Sequence, residues 1–142
     1  MNQTQDTKGR PPRKTMHIVL WVIQILLAAA YAMAGYQKAF LPLDVAAVTI
    51  TWIPDVAPWF VRFIGISEFL AAFGLILPGV TGIGRQLTAL TAAGLSVVMA
   101  SATVFHIMRG EFSVLPMVLA FFSLAAFVAY GRWKLAPLSS KK

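Results

Sequence analysis

Three ionisable side chains stand inside apolar stretches where a charge is costly: Lys38 in "GYQKAF", Glu68 in "FIGISEFLAAFGLILPG" and His106 in "SATVFHIMRG". An ammonium, a carboxylate and an imidazole can exchange a proton, pair with one another, or orient a polar ligand. Other chemistry is closed to the chain. It contains no Cys, so a disulfide, a thiolate metal site, a CxxC redox pair and a Cys nucleophile are excluded. Its two histidines are far apart in sequence, which removes a His-x-x-x-His constellation, and no metal site is expected.

The elements that must position these residues are membrane spans. Of the 142 residues, 58% are hydrophobic and 12% charged, far too little polar surface for a soluble domain of this size. A helix crossing the hydrocarbon core needs roughly 20 mostly apolar residues. Residues 16–37, 60–77, 85–108 and 114–133 meet that need, so the sequence predicts an all-α integral membrane four-helix bundle over 16–133. The net charge of +7 sits mostly in the flanks of the apolar spans, which fits membrane topology and argues against nucleic acid.

Positive charge also predicts the orientation. With both termini cytoplasmic, the inner side holds Lys8, Arg10, Arg13, Lys14, Arg85, Arg132, Lys134, Lys141 and Lys142, and the outer side only Lys38, Arg62 and Arg109. Residues 1–15 then read as a disordered basic cytoplasmic tail and 134–142 as a second basic tail. A rival reading takes "AAAYAMAG" as a signal-peptide cleavage region, but the apolar segment before it is as long as a span. The outer loop, residues 39–59, is apolar for a connection and reads as either an interfacial helix or an extended lid.

At helical spacing Glu68 shares its face with Gly65, Ala71, Ala72 and Leu75, of which the small Gly65, Ala71 and Ala72 admit a neighbouring helix. Arg62 lies about 120° away around the axis, so the partner of Glu68 must come from another helix. Lys38 and His106 belong to the same outer half of the bundle, as do Tyr36 and Gln37 beside Lys38. These five, Tyr36, Gln37, Lys38, Glu68 and His106, are the expected ligand-binding residues; no catalytic set is complete. Plainer readings stand beside this one. Lys38 could snorkel to water, His106 could be a satisfied structural histidine, Arg62 and Arg109 could anchor at the interface, and Glu111 could neutralise Arg109. Ala92, Ser96 and Ala100 form a small-residue stripe expected to face another helix.

"GYQKAF" closing the first span, "SEFLAAFGLILPG" with its acid in the second, and a late His in the third together resemble the DoxX-like family of small four-helix bacterial membrane proteins. The resemblance covers residues 16–133 and rests most on Gly35-x-x-Lys38 and Glu68. It implies a multi-pass protein of the bacterial inner membrane. Some members are similar to subunits of thiosulfate:quinone oxidoreductases, others are tied to redox-stress complexes, and a eukaryotic relative is a receptor-assembly chaperone, so the fold alone assigns no chemistry. The expected function is an accessory subunit of a quinone-linked redox complex, with an outward polar pocket around Glu68. Without Cys a redox role would need a quinone, an external cofactor or a partner protein, so the cofactor is left open with quinone one candidate; the lipid bilayer and a redox protein would be partners, and a homo-oligomer is compatible. The alternatives are a non-catalytic membrane assembly factor or chaperone, and a transporter of protons or small solutes.

Overall fold

The computed structural model describes residues 13–139; residues 1–12 and 140–142 of the two expected tails lie outside the described residues, whereas Arg13, Lys14 and Thr15, expected in the disordered tail, form the first turn of α1, because the apolar run behind them carries the helix on. The described chain is all helical. Its long helices are α1 (Arg13–Phe40), α3 (Pro58–Thr81), α4 (Gln86–Met108) and α5 (Leu115–Tyr130), with a short α2 (Leu43–Ala47) in the loop between α1 and α3. A 3₁₀ turn at Phe112–Val114 leads into α5, and a π-helical turn at Gly131–Leu135 continues it, so the last apolar span is Phe112–Leu135. All four spans are long and apolar enough to cross a membrane. Between 17% and 33% of each span is buried, so most apolar side chains face outward, as lipid contact requires.

The helices form a ring. α1 packs along α3, α3 on α4, α4 along α5, and α5 returns to α1. Leu20, Leu27, Leu75, Ala92, Ala125 and Val128 fill the centre. The stripe on α4 is only partly internal: Ala92 is buried and Ser96 half-buried, but Ala100 is exposed. The Ser96 hydroxyl donates to the Ala92 carbonyl of its own helix and, among the described residues, bonds no other helix.

Helix ends follow local chemistry. Pro58 opens α3, where a missing N–H costs nothing. Pro78 sits in its last turns and offers no N–H to the Gly74 carbonyl; the helix closes four residues on at Gly82, with φ +74° and its N–H bonded to the Pro78 carbonyl at 3.0 Å. The loop between α1 and α3 takes the helical alternative. α2 and a 3₁₀ turn at Ile53–Asp55 tuck Ala46 and Ile53 against Val61, a small second core that roofs the bundle.

One contact sets the geometry. A Cβ on Gly35 would lie 2.5 Å from the Phe69 nitrogen, and one on Gly65 would lie 2.5 Å from the Ala39 nitrogen and 2.7 Å from the Lys38 carbonyl carbon. The backbones of α1 and α3 therefore touch, and only glycine permits it at either position. Gly65→Ala will force the helices apart and lower the melting temperature in detergent by several degrees, because the obstacle is backbone and cannot rotate away. Gly94→Ala, where a Cβ meets nothing within 4 Å, will leave it unchanged or raise it slightly, and equal effects of the two would mean the close contact is absent.

Candidate functional site

Lys38 occupies the last turn of α1, a favourable place for a cation, and Glu68 faces it from α3. Gly35 and Lys38 share one face of α1, and Gly65 and Glu68 one face of α3, because each pair is three residues apart. Backbone contact at the glycines thus delivers the ions to each other. Lys38 Nζ lies 2.6 Å from Glu68 Oε2, and both side chains are 8% exposed. The approach is short yet not aligned as a hydrogen bond, leaving Glu68 Oε2 without an aligned donor among the described residues. Trp52, from the loop, sets its ring centroid 6.0 Å from Lys38 Nζ, within cation–π range, and meets Phe105 edge-on.

Arg62 acts on the same helix end. Its Nη1 donates to the Lys38 carbonyl at 3.0 Å and to the Leu41 carbonyl at 2.7 Å, capping α1 where its last carbonyls lack partners. Backbone acceptors on a different helix leave no trace in the sequence, which is why Arg62 reads there only as an anchor.

His106 belongs to a second cluster. Its Nδ1 is 2.6 Å from Glu111 Oε2, so the proton of that bond sits on Nδ1 facing the carboxylate. Arg109 donates from Nε to Glu111 Oε1 at 2.9 Å and reaches Asp55 Oδ2 at 2.8 Å, tying the loop to the end of α4. The expected neutralisation of Arg109 by Glu111 is present, joined by Asp55, whose part cannot be read from sequence spacing. Trp52 and Phe105 bridge the clusters: the former lies over Lys38, and the latter packs on His106 and under the Arg109 guanidinium. Among the described residues no hydrogen bond or ion pair links His106 to Lys38 or Glu68. Tyr36 is exposed and packs on Phe40, and half-buried Gln37 makes no side-chain hydrogen bond to described residues.

A third cluster, at the end carrying both termini, went unread. Buried Gln24 donates to the Leu75 carbonyl at 2.6 Å and accepts from Arg132 Nε at 2.5 Å. Arg132 Nη1 also contacts His17 Nδ1 at 2.9 Å and the Ala136 carbonyl at 3.2 Å. Trp21 Nε1 points at His17 Nε2 from 3.1 Å. A neutral imidazole has one acceptor nitrogen, so His17 satisfies only one of these two donors at a time. A lone glutamine in the apolar run "VIQILL" is the signal that could have exposed this cluster.

The chain matches the DoxX-like family over residues 22–128, most of its length. It belongs to that family. Gln24, Lys38, Asp55, Glu68, His106, Arg109 and Glu111 of this DoxX-like chain all fall inside the matched segment, whereas His17 and Arg132 fall outside it. No curated protein and no solved structure is detectably similar to the chain.

Two outcomes follow for the DoxX-like site. Glu68→Gln leaves the Lys38 ammonium buried without a counter-ion and will destabilise the fold by about 3–5 kcal/mol, as loss of one partner of a buried pair does. Adding Lys38→Met will recover part of that loss in a double-mutant cycle followed by thermal unfolding; strictly additive losses would mean the pair is uncoupled. Glu111 lies outside the spans. The hydrogen bond from His106, then that from Arg109, holds its carboxyl below the ordinary 4.5. A depressed folded-state value means that its stabilising contribution is complete above about 4.5 and lost as pH falls through the lower folded value. Glu111→Gln will therefore melt below the parent at neutral pH and converge with it in strong acid.

Proposed function

We propose that this DoxX-like protein is an accessory subunit of a quinone-linked membrane redox complex, and that Lys38 and Glu68 receive the polar head of its ligand. One observation carries the reading: the buried ion pair is unsaturated. An ammonium has three donors and a carboxylate several acceptor sites, yet among the described residues neither side chain hydrogen-bonds or ion-pairs with any third group. A quinone carbonyl can accept from Lys38, and a hydroquinone hydroxyl can donate to Glu68, with the Trp52 ring beside them as an aromatic wall. Gln37 and Tyr36 would border the entry from the face of α1. His106, held by Glu111, would position Phe105 and through it Trp52. Because the chain has no Cys, electrons would pass through the quinone and a partner protein.

The orientation proposed with this function places both termini in the cytoplasm of a bacterial inner membrane. Arg13, Lys14, Arg85, Arg132 and Lys134 gather at one end, against Lys38, Arg62 and Arg109 at the other, which supports it. The assembly-factor reading draws on a different observation: Trp59, Phe60 and Phe63 are exposed and lie together along the start of α3, an aromatic edge that a client helix could meet.

Trp52 provides the assay. Titrating a short-chain ubiquinone analogue into the protein in nanodiscs will quench tryptophan fluorescence saturably. Trp52→Phe will lose the saturable component, and Lys38→Met will weaken binding about tenfold or more, the scale of a charge-assisted hydrogen bond. Quenching that is linear, or unchanged in both variants, would reject the quinone site; stable co-purification of a client by the same variants would favour the assembly factor.

A further inference from the structure

The end of the bundle carrying the termini holds two adjoining cavities. The larger, about 910 Å³, opens beside the α3–α4 turn and is lined by Arg85 and Arg132 together with Leu87 and Leu138. The smaller, about 260 Å³, runs between α4 and α5 against Ala93 and Ala129 and has almost no polar wall, with Lys134 among its lining residues. Ala89, Leu90 and Trp133 line both, so the cationic cleft leads into the apolar groove.

Among the described residues no acid compensates the charges here. Arg132 is only 4% exposed, it hydrogen-bonds a glutamine, a histidine and a carbonyl and lies over the Trp21 ring, and its Nη2 has no partner among the described residues. Among the described residues Arg85 bonds only the Leu138 carbonyl. The described acids lie elsewhere: Asp44, Asp55 and Glu111 are at the opposite end, and Glu68 is taken by Lys38. Two guanidiniums beside one cleft, with no carboxylate beside them among the described residues, suit an anion, and the forked donor pattern of arginine suits phosphate oxygens. The groove adds a second requirement. Small alanines leave a slot at membrane depth, the shape of an acyl chain rather than of a free ion.

We propose that this cleft and groove form a binding site for one anionic phospholipid, its phosphate held by Arg85 and Arg132 and one acyl chain lying over Ala93 and Ala129. Basic pockets between spans are established receivers of anionic headgroups. Arg85 joins the turn after α3 to the C-terminal segment through Leu138, so the lipid would brace the end of the bundle farthest from the Lys38–Glu68 pair. The site is independent of the quinone reading.

The test is thermal unfolding of the full-length protein in neutral detergent, titrated with phosphatidylglycerol, phosphatidylcholine or inorganic phosphate. Phosphatidylglycerol will raise the melting temperature saturably and the other two will not. Arg85→Gln will weaken the apparent affinity roughly fivefold, the contribution of one interfacial cation. Ala93→Leu, at an exposed position, will weaken it by filling the groove without changing charge. Lys14→Gln, an exposed cation near the start of α1, will leave the affinity unchanged. Each shift is read against the variant's own lipid-free melting temperature, so a loss of fold is not mistaken for a loss of binding. Equal stabilisation by phosphatidylcholine would overturn the anionic headgroup, and stabilisation by inorganic phosphate would overturn the lipid. An effect of Lys14→Gln equal to that of Arg85→Gln would replace the site with diffuse attraction.

Discussion

Everything at the loop end depends on two backbones being allowed to touch. Gly35 and Gly65 remove the side chains that would hold α1 and α3 a normal distance apart, and three residues beyond each glycine stands an ion. Within a membrane the apolar effect does not drive helices together, so close packing and polar contacts must do so. Here one stretch of interface supplies both. Loss of the close contact would separate Lys38 from Glu68, strand two charges, and loosen Trp52, which is seated against the ammonium.

The polar residues are distributed with an evident logic. Each layer of the bundle has a single polar fastening. The Lys38–Glu68 pair joins α1 to α3, His106 and Arg109 join α4 to the loop through Glu111 and Asp55, and Gln24 with Arg132 joins α1, α3 and the end of α5 at the opposite pole. Between them lies a core of Leu, Val and Ala with Tyr31 among them. Pro78 fits the same scheme. It deprives the Gly74 carbonyl of its donor, and the Gln24 amide binds the adjacent Leu75 carbonyl, the kind of side-chain support on which a proline inside a span relies.

Much of this was legible in the sequence because hydropathy and helical spacing are local properties. Four spans follow from run length, and the inward aim of Glu68 follows from Gly65, Ala71 and Ala72 on its face. The choice of Lys38 over His106 as its partner did not follow. Both lie in the same half of the bundle, and the decision rests on the α1–α3 backbone contact, a relation between two helices. Arg62 and Asp55 were misread or missed for a related reason: one binds carbonyls of another helix, and the other acts only once the loop has folded over α4. Arg132 read as a topology signal, since a juxtamembrane arginine and a buried one look alike until the chain beyond it is seen to turn back and bury Ala136 and Leu138.

The pairing of Lys38 with Glu68 also constrains how the chain is made. α1 emerges from the ribosome with its cation near the trailing end, and α3 follows after a connection of only 17 residues between Phe40 and Pro58. A carboxylate entering lipid alone on α3 would meet an insertion penalty of about 2.5–3.5 kcal/mol. Inserted against α1, it meets its counter-ion as it enters. The two helices are therefore suited to leave the translocon as a preassembled hairpin, with α4 and α5 added afterwards to a unit whose costly charges are already matched.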